Sequence, residues 1–143
     1  EGAEIVTNDP VMRATGLDAG KIADLAKPEL EEIERRRKLY LPGKKPVRAE
    51  GRTAILVDDG IATGTSMKAA ILAVSKRRPA KIVVAVPVAA PDTLHAIGKM
   101  VDDTVVLAAP DRFGAVGSYY RDFHQLSDDE VIQLLQQPLL GEE

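Results

Sequence analysis

Three short, unbroken apolar runs constrain this chain more than any other feature: Thr53–Val57 (TAILV), Lys81–Val86 (KIVVAV) and Thr104–Ala108 (TVVLA). None alternates apolar with polar residues, so each is expected to be a strand covered on both faces. Two stretches with helical spacing separate them. Thr65–Lys76 sets Met67, Ala70, Ile71 and Val74 on one side, and Asp92–Met100 follows the second run. The order β-α-β-α-β predicts an α/β fold, an open, mainly parallel sheet with helices on both faces. Its crossovers are expected to be right-handed, with ligands gathering beyond the C-terminal ends of the strands.

The flanks carry weaker signals. Glu4–Thr7 reads as a short strand, and Asn8 as the N-cap of a helix with Pro10 in its first turn and Gly16 as its stop. Asp18 is expected to cap a second helix with Ile22, Leu25, Ala26, Leu30 and Ile33 on one stripe, broken or kinked at Pro28. Within it, Glu31–Arg35, Glu32–Arg36 and Glu34–Lys38 are spaced i,i+4, the pattern of a solvated, ion-paired face. Tyr40–Gly51 reads as a mobile loop, because prolines, glycines and cations dominate it. Ser127 and Glu130 form a capping-box pattern that opens a last helix through about Gln136. The 143 residues are about the size of one domain, and a single domain is expected.

Composition excludes several functions. There is no cysteine, which rules out disulfides and thiolate metal sites. His95 and His124 lack ligand spacing, so no zinc site is expected. An aromatic content of 3% and a net charge of −3 argue against a nucleic-acid partner. No apolar run is long enough to span a bilayer and the chain opens on no signal-peptide pattern, so no membrane and a cytoplasmic location are expected.

The chemistry gathers after the first apolar run, which ends in two adjacent aspartates, Asp58 and Asp59. Gly60, Ile61, Ala62, Thr63, Gly64, Thr65 and Ser66 then lead into a helix. A helix N-terminus presents unpaired N–H groups and partial positive charge, which suit a phosphate. Thr63, Thr65 and Ser66 add hydroxyls, and Gly64 permits close backbone approach. The carboxylates repel a phosphate but accept hydrogen bonds from a sugar diol. An ordinary strand-to-helix turn does not account for two acids and three hydroxyls in register.

On these residues the sequence resembles a known family. Ile55–Met67 (ILVDDGIATGTSM) is similar to the 13-residue signature of the type I phosphoribosyltransferases. A wider resemblance, from about Gly2 to Leu135, is to small bacterial phosphoribosyltransferase-like proteins. It runs through Phe113-Gly114-Ala115-Val116-Gly117, Tyr120, Phe123 and Ser127-Asp128-Asp129-Glu130. The resemblance implies that Asp58 and Asp59 hold the ribose hydroxyls of phosphoribosyl pyrophosphate (PRPP) and act catalytically on its ring. Ala62 to Ser66 would cradle the 5′-phosphate. It also implies a small nitrogenous acceptor, Mg²⁺ carried by the substrate with no protein ligands, and, by analogy, a homodimer. A mobile loop closing over pyrophosphate would draw on Arg37, Lys44, Lys45 and Arg48, and would exclude water. Phe113, Tyr119 and Tyr120 could wall the acceptor pocket or anchor the core; Phe113 stands between the two, and at least one tyrosine is expected in the core with a polar partner. His95 is expected on a helix surface, and Asp102 and Asp103 in a turn before a strand.

Departures accompany the likeness. Thr65 stands where many members have a second glycine, and Ala62 where some purine-using members have a carboxylate. The family's pyrophosphate loop is not found, so the domain is expected to lack its first strands. The alternative function is a non-catalytic PRPP- or nucleotide-binding regulatory protein. A third reading is an unrelated α/β enzyme that uses the acid pair for metal-dependent phosphate chemistry.

Overall fold

The computed structural model describes residues 18–45 and 47–137. The expected strand at Glu4–Thr7 and the helix behind Asn8 lie outside them. In chain order the elements are α1 (Ala19–Tyr40), β1 (Thr53–Val57), α2 (Thr65–Ser75), β2 (Lys81–Val88), α3 (Pro91–Gly98), β3 (Asp103–Ala108), a 3-10 turn at Val116–Tyr119, and α4 (Asp128–Gln136). They fall into two compact units, one described over 47–123 and the other over 18–45 and 124–137.

The first unit is the parallel sheet, in the order β1-β2-β3. Central β2 alternates buried Ile82, Val84, Val86 and Val88 with half-buried residues. Helices α2 and α3 press onto the Val84 face through Met67, Ile71, Leu94 and Ile97. Fully burying an aliphatic side chain such as Ile71, Ile97 or Val84 contributes roughly 1.5–3 kcal/mol, so this layer holds the unit together. The α/β class and parallel order match the sequence reading; among the described residues the expected cover on both faces is found on one. On the other face Val57 and Leu107 are 74% and 84% exposed, with Ile55 and Val105 beside them. Two consecutive crossovers of one hand, in a sheet ordered 1-2-3, place both helices on the same side.

Strand β2 runs two residues past the predicted end, through Pro87 to Val88. Its extension matters to the site, because Ala89 then bridges Ile61. Ile61 N–H donates to the Val88 carbonyl at 2.9 Å, and Ala90 N–H donates to the Ile61 carbonyl at 2.9 Å. Asp102 and Asp103 form the expected entry to β3: the Asp102 carboxylate accepts the Ile82 N–H at 2.7 Å, and Asp103 that of Thr104 at 2.8 Å.

The second unit pairs α1 with α4. Helix α1 runs unbroken for 22 residues with Pro28 inside it, so of the expected break or kink there is no break. Pro28 is exposed, so water can satisfy the carbonyl that loses its helical donor. Ile22, Ala26 and Leu30 of the predicted stripe are half-buried, but Leu25 and Ile33 are 61% and 53% exposed. The charged face is solvated as expected; of the predicted pairs Glu32–Arg36 forms, while Arg35 turns to Glu32 and Glu34 to Arg37. Glu32 binds both Arg35 and Arg36 at 2.7 and 2.6 Å, which holds its carboxyl down at about 2, and Glu34 meets Arg37 at 3.6 Å. Asp128, in the first turn of α4, accepts hydrogen bonds from the Tyr40 hydroxyl and, at 2.8 Å, from Arg35. These contacts lower the Asp128 carboxyl below its ordinary range and raise the Tyr40 hydroxyl. The capping box is complete: Glu130 N–H donates to the Ser127 hydroxyl, and Ser127 N–H donates to Glu130 at 2.8 Å.

Candidate functional site

The acid pair follows β1 directly, at the C-terminal edge of the sheet. Asp58 and Asp59 are both exposed, and the Asp59 N–H donates to the Asp58 carboxylate at 3.0 Å. Beyond them the chain passes Gly60, where a Cβ would come within 2.7 Å of Val116 and 2.9 Å of Val88. Only glycine fits that approach. Gly64 then adopts φ 72°, the left-handed region, as the N-cap of α2. Its lack of a side chain matters twice, because a Cβ would also lie 2.6 Å from the Thr93 methyl.

Helix α2 begins without a side-chain cap and without an acid in its first turn. The backbone ladder starts when Lys68 N–H donates to the Gly64 carbonyl at 2.9 Å. The N–H groups of Thr65, Ser66 and Met67 precede that first rung and have no intrahelical partner. The hydroxyls of Thr63 and Thr65 lie 3.4 Å apart beside them. A pocket of about 190 Å³ occupies this position, walled by Asp58, residues 60–67 and Val116. Drug-sized ligands take roughly 300–1,000 Å³, so this cavity suits one small polar group.

The profile of the phosphoribosyl transferase domain matches residues 27–123, well over half of the chain. The chain belongs to this family. It is 41% identical over 130 residues to "Putative phosphoribosyl transferase Rv0571c" of Mycobacterium tuberculosis strain H37Rv, and equally to "Putative phosphoribosyl transferase MT0597" of strain CDC 1551. Each alignment takes in 91% of this chain but 29% of the relative, so the chain spans under a third of their length. Among solved structures it is similar to the crystal structure of TT1426 from Thermus thermophilus. The TM-score is 0.73 at 34% identity, over 93% of this chain and 62% of that one.

In this phosphoribosyl transferase domain the structure gathers some of the expected residues and separates others. Asp58, Ala62, Thr63, Gly64, Thr65 and Ser66 share the pocket. Asp59 is adjacent to it in sequence but is not one of its walls. Phe113 is half-buried and stacks on Tyr119 with ring centroids 5.5 Å apart, away from the pocket lining. Arg37 belongs to the last turn of α1 and not to the loop, where it pairs with Glu34. Lys44 and Lys45 follow a turn at Gly43, and Arg48 is exposed. His95 lies exposed on α3.

Three residues at the site have no place in the sequence-derived set. Val116 walls the pocket. Thr93, on α3, donates its hydroxyl to the Ala62 carbonyl at 2.8 Å. Half-buried Tyr120 donates its hydroxyl to the Asp59 carbonyl at 2.6 Å. Tyr120 carried a signal, since a buried tyrosine requires a polar partner. Thr93 carried none. Among the described residues no helix is long and apolar enough to cross a membrane.

Proposed function

We propose that this chain binds the ribose 5-phosphate end of PRPP and that its protein transfers the phosphoribosyl group to a small nitrogenous acceptor. Pyrophosphate is the leaving group. One observation carries the reading: an uncapped helix N-terminus and the carboxylate of Asp58 wall the same small pocket, 190 Å³ in volume. A phosphorylated pentose has an anion at one end and a diol at the other, which this polarity suits.

The acceptor nitrogen bonds to C1 of the sugar as the bond from C1 to the pyrophosphate oxygen breaks, and the acceptor's N–H proton passes to the departing pyrophosphate or to water. Positive charge then develops on the ring. Asp58 and Asp59 accept the ring hydroxyls and favour that charge, while the first turn of α2 holds the phosphate. The protein contributes position and electrostatics and no covalent step. Mg²⁺ neutralises the departing pyrophosphate when bound. Asp58 and Asp59 would hold the ribose hydroxyls beside an ion carried in by the substrate.

Calorimetry of the protein with Mg²⁺·PRPP, ribose 5-phosphate and inorganic phosphate tests the site, and pyrophosphate release over a panel of nucleobases tests the reaction. Binding with release supports transfer. Binding without release for any base favours the regulatory alternative, and no binding of either sugar phosphate overturns both.

A further inference from the structure

Four consecutive peptide groups cross the site, from Asp59 to Thr63, and a hydrogen bond fixes each. The Asp59 carbonyl accepts from the Tyr120 hydroxyl, and the Ile61 N–H donates to the Val88 carbonyl. The Ile61 carbonyl accepts from Ala90 N–H, and the Ala62 carbonyl from the Thr93 hydroxyl. A trans peptide is planar, with its C=O and N–H pointing opposite ways. Holding one therefore aims the other. The Tyr120 bond sets the direction of the Gly60 N–H, and the Thr93 bond that of the Thr63 N–H. Gly60 and Thr63 both wall the pocket. The two inner peptides are held by the backbone of the β2 extension, whatever the side chains there. The two outer ones depend on single hydroxyls.

We infer that Tyr120 and Thr93 are positioning residues that aim the Gly60 and Thr63 amides for the sugar phosphate. The packing around them supports the role. Phe123 braces Tyr120, with ring centroids 5.2 Å apart, and its ring leaves no room for a Cβ on Gly117, which would lie 2.7 Å away. The Thr93 methyl sits against Gly64, which orients its hydroxyl onto the Ala62 carbonyl. The segment carrying Tyr120 also carries Val116, which abuts Gly60 and closes one wall of the pocket. This role rests on the proposed PRPP site for its function, but not for its geometry.

The test uses Tyr120→Phe, Thr93→Val and Thr93→Ser, with two readouts. Backbone ¹⁵N order parameters need no ligand. Those of Gly60 and Thr63 are expected to fall from the rigid range near about 0.85 in Tyr120→Phe and Thr93→Val respectively, while Ile61 stays rigid. Affinity for Mg²⁺·PRPP is expected to weaken about threefold to tenfold in each, the usual worth of one neutral hydrogen bond. Thr93→Ser keeps the hydroxyl and should restore both readouts, which a packing role for the methyl would not allow. Unchanged order parameters overturn the inference whether or not PRPP binds. Lowered order parameters with unchanged affinity overturn the functional half of it. If the wild type fails to bind PRPP, the proposed function falls, and the order parameters still decide the geometry.

Discussion

Helices α2 and α4 begin in opposite ways. Helix α4 has a complete capping box, three acids in its first turn, and Asp128 tied to Tyr40 and Arg35. Helix α2 has a left-handed glycine at its cap position, no side-chain cap and no acid in its first turn. A glycine in place of a side-chain cap costs only about a few tenths of a kcal/mol, so α2 gives up a little stability that α4 keeps. The hydroxyls of Thr63, Thr65 and Ser66 are near enough in sequence to have served as caps. Instead the first residues of α2 wall a pocket, whereas in α4 the Glu130 N–H is satisfied by the Ser127 hydroxyl. The difference fits the proposed anion site, where a bound phosphate would offset what the missing cap forgoes.

The comparison can be broken most severely at the acids. Asp58→Asn with Asp59→Asn should weaken Mg²⁺·PRPP binding about a hundredfold, since each change from a charged to a neutral acceptor loses about 1–1.5 kcal/mol. Both carboxylates are exposed, so the urea midpoint should not move, and unaltered affinity would count against their role. Ser66→Glu gives α2 the first-turn acid that α4 has. Phosphate affinity should drop by about tenfold or more through like-charge repulsion, while helix stability rises by about 0.3–1 kcal/mol. Parallel losses in both would instead signal a damaged fold. Ser127→Ala should cost about 1 kcal/mol by urea unfolding and leave PRPP affinity untouched.

The smallest effect is one of pH. Hydrogen bonds from the Ser127 N–H and hydroxyl, and then from His124, hold the Glu130 carboxyl at about 2, against 4.5 for a free glutamate. A depressed acid contributes its full stability above the unfolded value and loses it as pH falls through the folded one. The α4 cap should therefore loosen between about pH 4.5 and pH 2, seen as faster amide exchange at residues 128–131. Glu130→Gln should remove that pH dependence, and a dependence that survives it would assign the effect to another group.

Much of this was legible in the sequence because its causes are local. The three strands were unbroken apolar runs, the capping box was a four-residue pattern, and the acid pair with its loop was contiguous. The misses came where a local rule met a longer-range force. Pro87 ended the apolar run on paper, yet β2 continues through it because the Ile61–Ala89 bridge and the pairing of Val88 with Ala108 offset one lost donor. Pro28 was expected to interrupt α1, but helix-forming residues on both sides and an exposed position tolerate it. That one sheet face lies uncovered among the described residues could not be anticipated from composition, because Val57 and Leu107 are as apolar as Val84. Thr93 and Tyr120 reach the site from 31 and 61 residues away, a distance that no sequence periodicity encodes.

The most direct test of the contrast between the two helix starts is a ¹H–¹⁵N titration of the protein with ribose 5-phosphate. The account predicts progressive amide shifts at Thr63, Gly64, Thr65, Ser66 and Met67, with Asp128, Asp129 and Glu130 unmoved. Saturable binding that leaves the α2 amides still, or that shifts the α4 amides instead, would contradict it.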